Sequence, residues 1–125
     1  MHVRIVLASI ALALLLTSPA QAQDQRLANY FFCTLAEGKT PADLLAFKAE
    51  YEKAVEKADL EGYELRVQFP LYSDDISNGR FVWDGSWPDF EAMARISAWF
   101  QGSEWPARFQ ELMSCESSSL WRVVD

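Results

Sequence analysis

The chain is almost without histidine. Its only one, His2, lies at the extreme N-terminus, in a stretch that reads as a removable leader. With no imidazole beyond that leader, serine–histidine and cysteine–histidine catalysis, histidine-ligated haem and most zinc sites are excluded from the mature chain. Cysteine is scarce: Cys33 and Cys115 are the two residues, far apart and unlike the C-x-x-C spacing of a redox pair. Positive charge is in short supply too, with 11 Lys and Arg against 18 Asp and Glu. The formal charge is −7 and grows more negative once Arg4 leaves with the leader, so nucleic acid and anionic membrane surfaces are poor partners. Past the leader, no run is apolar enough to cross a bilayer.

The leader, residues 1–22, has the three parts of a secretory signal peptide. Arg4 supplies the positive start, residues 5–16 form an apolar run, and Ala20-Gln21-Ala22 offers small residues to a signal peptidase. The run is shorter than the ~20 residues that a stable span needs, so cleavage before Gln23 is expected rather than retention as an anchor. The reading is an exported protein, periplasmic or secreted, with no membrane attachment in its mature form. Residues 23–125 suffice for one domain. With 50% hydrophobic and 23% charged residues over the whole chain, that domain is globular rather than disordered.

Export gives the cysteines a meaning. In an oxidising compartment Cys33 and Cys115 have one possible pairing, a structural disulfide that ties the first structured segment to the last. Two free buried cysteines are the other arrangement.

The spacing of apolar residues predicts the elements. Residues 23–28 are polar and read as a frayed start, and residues 29–35 (NYFFCTL) as a strand. Thr40-Pro41-Ala42-Asp43 is a helix start, with Thr40 as N-cap, Pro41 in the first turn and Asp43 near the positive helix end. Leu44, Phe47, Tyr51, Val55 and Ala58 fall on one face of that helix, with Lys48 at the rim. Residues 63–71 alternate apolar and polar as a half-buried strand, and Pro70 near its end suggests an edge. After a loop with an Asn78-Gly79 turn comes a short strand, residues 80–83. Ser86 reads as the N-cap of a second helix, with Phe90, Met93, Ala94, Ser97 and Phe100 inward and Gly102 as its stop. A short helix follows with Trp105, Phe109, Leu112 and Met113 on one side, then a loop at residues 117–119 and a last strand at 120–124.

This order, β-α-β-β-α-β with one added helix, is the split βαβ pattern. It predicts an α+β fold with a four-stranded antiparallel sheet and its helices packed on one face. Strands one and three would be central, and strands one and four neighbours, which would bring Cys115 near Cys33.

At this level the segments FFCTLAEGKTPADL and FVWDGSWPDFEAMA, together with the late Cys115, resemble the ferredoxin-like, dimeric α/β-barrel type of domain. The resemblance covers nearly all of residues 23–125 and is greatest to small exported bacterial proteins of unassigned activity. It implies a homodimer whose two sheets face each other across a two-fold axis. Better-known members of the group are cofactor-independent monooxygenases, isomerases and haem-using enzymes. The missing histidine sets this chain apart from the haem users, and no cofactor or metal is expected.

Candidate residues follow from chemistry. Five tryptophans are many for so small a domain, and Trp83 and Trp87 are ligand-binding candidates for a small apolar or aromatic molecule. Trp87 is expected to be exposed at a helix start beside Gly85. Arg66 and Tyr72 are the candidates that would favour an enzyme if they pointed into a pocket. Asp74 and Asp75 only vaguely approach a calcium loop and read as a solvated turn, and Lys39 as a solvated loop residue. On the sheet face away from the helices, Glu64, Arg66 and Gln68 are expected on strand two, Tyr30, Phe32 and Thr34 or the alternate set on strand one, and Arg122 on strand four. The expectation is a non-catalytic exported domain that homodimerises and holds a small ligand. The alternatives are a cofactor-independent monooxygenase or isomerase and an accessory subunit of an exported complex.

Overall fold

A computed structural model of the chain describes residues 26–71 and 79–124. The expected leader at 1–22, Tyr72, Asp74 and Asp75 lie outside the described residues. Seven elements follow in order: β1 (Leu27–Leu35), α1 (Pro41–Lys57), β2 (Glu64–Gln68), β3 (Arg80–Trp87), α2 (Phe90–Gln101), α3 (Trp105–Leu112) and β4 (Met113–Arg122). The four strands form one antiparallel sheet in the order β2-β3-β1-β4, the ferredoxin-like order expected of an α+β split βαβ chain.

The start of α1 shows how local sequence sets the frame. The Asp43 N–H donates to Thr40 Oγ1 at 3.3 Å, and the Thr40 N–H donates back to Asp43 Oδ2 at 2.8 Å. This reciprocal box satisfies two of the backbone donors that a helix start leaves open. The Thr40 backbone bond, helped by its hydroxyl, holds the Asp43 carboxyl below its usual range. At the other end, Asp59 takes a positive φ of 57° to turn the chain out of the helix.

Five boundaries differ from the sequence reading. Leu27 and Ala28, expected to fray, are buried members of β1. β2 spans only Glu64–Gln68, inside the longer run expected. β3 continues to Trp87 because Asp84-Gly85-Ser86 pairs with β1 and β2 instead of turning. The cap of α2 is consequently Asp89, whose side chain accepts from the Ala92 N–H at 2.7 Å, rather than Ser86. The inward face of α2 rotates with it: Ala92 and Ile96 are buried, whereas Phe90, Ala94 and Ser97 are exposed. β4 begins at Met113, so Cys115 and the serines at 117–119 lie within a strand; the pairing with β1 shifts register between Phe32 and Cys33 to absorb the extra residue.

The core lies between the sheet and the helices. Leu44 is fully enclosed, and Phe47 and Tyr51 from α1 meet Trp83 from β3 and Trp105 and Phe109 from α3. Phe109 stands edge-on to Phe47 at 4.8 Å and to Trp83 at 4.9 Å between ring centroids, an arrangement the ring quadrupoles favour. Arg108 lies over the Trp105 ring at 4.3 Å and pairs with Glu50, sealing the outer side of α3 against α1.

Cys33 and Cys115 are direct partners across β1 and β4 and form a disulfide that spans a sequence separation of 82. It ties an edge strand to a central one. No helix among the described residues is long and apolar enough to cross a membrane.

Candidate functional site

The alternation of each strand divides its residues between two faces. Odd-numbered positions of β1 and β3 turn toward the helices, and there a cavity of about 740 Å³ opens. Its sheet side is made by Asn29 and Phe31 of β1, Trp83, Gly85 and Trp87 of β3, and Met113, Cys115 and Leu120 of β4. Tyr51, Tyr63 and residues of α2 and α3 complete it. Among the described residues, none that lines it carries a charge.

The polar residues of this wall are Asn29, Tyr51, Tyr63, Ser97, Gln101 and Gln110, all uncharged, beside the indoles of Trp83 and Trp87. The Tyr63 ring meets Tyr51 edge-on at 6.2 Å between centroids and lies 5.7 Å from the Trp87 ring. Burial pushes the Tyr51 hydroxyl up to about 12 and holds the Tyr63 hydroxyl well above its ordinary value, with Tyr51 beside it adding to the effect. Both therefore stay protonated at any physiological pH. Asn29 Oδ1 and Trp87 Nε1 are buried with no protein partner, two wall groups with unused hydrogen-bonding capacity.

Two of the sequence candidates, Trp83 and Trp87, meet at this cavity. Trp87 is not exposed as expected: it is 7% accessible, because it ends a strand inside the sheet instead of starting a helix at the surface. Arg66 stands elsewhere. It faces away from the helices, where Nε and Nη2 donate to Asp84 Oδ2 at 3.1 and 3.0 Å, joined by Gln68 Nε2 at 3.1 Å. Asp84 is 1% accessible although it lies on the outer sheet face, and its Oδ1 has no protein partner. Its cross-strand partners are Arg66 on β2 and Tyr30 on β1.

Pairing orders the rest of that outer face. Glu64, Ser86, Ala28 and Trp121 form one row, Arg66, Asp84, Tyr30 and Ser119 the next, and Gln68, Val82, Phe32 and Ser117 a third. The set Tyr30, Phe32 and Thr34 is thus the outward one on β1. Trp121 takes the place expected for Arg122, which pairs with the inward Leu27. Phe32 at 48% and Trp121 at 59% accessible are large apolar groups left open on this face.

Tyr51, Tyr63, Gly85, Asn29 and Asp84 were not recognised as site residues from sequence. The signal for three of the cavity positions is the run Trp83-x-Gly85-x-Trp87, legible only once β3 is extended past Trp83. Tyr51 was visible as a helix-face residue, and nothing in a helical stripe distinguishes a cavity wall from a core.

The fold and site define a small α+β domain with a neutral aromatic cavity between sheet and helices. The chain matches no protein-family model and no curated protein. Among solved structures it is similar to one titled "Structural Genomics, protein YJCS", with 16% identity, 79% of this chain and 99% of that chain covered, and a TM-score of 0.49.

Proposed function

We propose that this protein is an exported, disulfide-tied domain that binds a small, uncharged aromatic or apolar molecule between its sheet and helices and pairs with a second copy through its outer sheet face. The observation that carries the ligand reading is the cavity itself: about 740 Å³, within the usual range for small-molecule sites, walled by aromatic rings and without a charged side chain among the described residues. Such a wall favours an uncharged occupant, because a charge moved there would lose its hydration with no partner to offset the loss. The signal-like leader and the Cys33–Cys115 bond support the exported setting.

The dimer reading rests on Phe32 and Trp121, large rings left open on a face whose other members are mostly polar. A self-complementary contact would cover both at once.

Native mass spectrometry of the mature protein, purified from an exporting host, tests both parts. The expected result is a dimer, each chain lighter by one disulfide, with a retained molecule that organic solvent releases. A ligand-free monomer that also fails to take up indane in a calorimetric titration would overturn the proposal. Turnover of the bound molecule in air would replace the non-catalytic reading with a cofactor-independent enzyme.

A further inference from the structure

Two buried atoms of the cavity wall, Asn29 Oδ1 and Trp87 Nε1, have no protein partner, and they do not bond each other. Among the described residues, three buried side-chain polar atoms are left in this way. The third, Asp84 Oδ1, belongs to the opposite face of the sheet. A folded chain seldom leaves a buried polar atom unpaired, so two on one wall mark a place where something other than this chain's side chains completes the bonding.

Strand register sets the two atoms on neighbouring side chains. Asn29 of β1 stands across from Gly85 of β3, and Trp87 follows two residues later on the same face. Asn29 and Trp87 are therefore diagonal neighbours, a relation that in an antiparallel sheet separates the backbones by about 7–8 Å. Gly85 leaves the strand bare beside them. A Cβ there would lie 3.0 Å from Tyr63 Cε2 and 3.5 Å from Trp87 Cη2. A side chain at this position would displace Tyr63 and, with it, the Trp87 ring packed 5.7 Å away between centroids.

The two atoms differ in kind, and that difference selects a ligand. An indole N–H only donates, and an amide oxygen only accepts. A group that satisfies both must accept from Trp87 and donate to Asn29, and a hydroxyl is the smallest that does so. A ketone or a carboxylate meets Trp87 but turns one acceptor against another at Asn29. A hydrocarbon meets neither. We infer that Asn29 and Trp87 form the specificity-determining pair of the cavity and that the ligand is a flat, uncharged ring compound carrying a hydroxyl group. The inference rests on the cavity reading above and deepens it: the aromatic wall covers the apolar body, and the pair reads the hydroxyl.

Calorimetric titration of residues 23–125, disulfide intact, with indane, indanone and indanol separates the possibilities. Indanol is expected to bind roughly tenfold more tightly than either of the others, the advantage that one further well-made hydrogen bond gives. Asn29→Leu removes the acceptor at similar volume and should bring indanol to within about twofold of indanone. The unaltered chain supplies a second readout that survives a variant failing to fold. The Trp87 indole N–H signal should move downfield with indanol and not with indane. If indane or indanone binds the unaltered chain as tightly as indanol, if a folded Asn29→Leu keeps the full preference, or if the Trp87 signal responds alike to indanol and indane, the inference is overturned while the cavity reading stands. If none of the three binds, the cavity reading itself fails.

Discussion

Tyr51 and Tyr63 couple the site to pH through their burial. Both hydroxyls are favoured in the protonated form by the fold, with Tyr51 raised from 10.0 to about 12 and Tyr63 raised as well. Between those limits the folded chain holds protons that the unfolded chain has released, so stability falls as pH rises. The contribution is complete below about pH 10 and is lost as pH climbs through about 12, on the order of 2 kcal/mol for Tyr51. Urea denaturation from pH 8 to pH 12 should show this alkaline decline, and Tyr51→Phe should flatten it. On the other face of the sheet, Arg66→Ala should lower stability by about 1–2 kcal/mol, since it strips a buried carboxylate of its charged partner, discounted for the exposure of Arg66. A thermal melt of that variant measures it. Asp84 was not legible in the sequence as a buried group, because burial on an outer sheet face depends on which large side chains stand across from it. Strand alternation alone assigns such a position to solvent.

Helix α1 was legible almost to the residue, since its cap, its proline and its apolar stripe all agree. Thr40→Ala removes one arm of the capping box and should cost about 1 kcal/mol, read as a fall in Tm of roughly 4–8 °C. β3 and α2 were less legible, because two helix starts compete within a few residues. Ser86 has cap chemistry, but Asp89 has it as well, and the pairing of Ser86 with Ala28 and Glu64 holds it in the sheet. β4 was obscured by composition: a serine-rich stretch reads as a loop, whereas here backbone pairing to β1 and the disulfide keep it extended. Much of the cavity wall lies in these less legible segments. Gly85 and Trp87 belong to the part of β3 that turn chemistry concealed, and Cys115 and Leu120 belong to the concealed strand.

For the molecule as a whole, the disulfide joins the wall of the cavity to the centre of the sheet. Closing a loop of 82 residues stabilises a chain by roughly 4–5 kcal/mol in the chain-entropy account, comparable with the entire stability of a small domain. Reduction under native conditions should therefore lower the unfolding midpoint in urea steeply, and hydrogen exchange should show β4 losing protection before β1. The same edge strand supplies Met113, Cys115 and Leu120 to the cavity, so ligand affinity should fall with it. The most direct test of the central claim uses the indole N–H signals of the five tryptophans as internal markers in a ¹⁵N–¹H spectrum of residues 23–125. Adding indanone should move the signals of Trp83 and Trp87 on the cavity wall and leave Trp121, on the opposite sheet face, where it was. Movement of Trp121 alone, or of no indole at saturating ligand, would contradict the account.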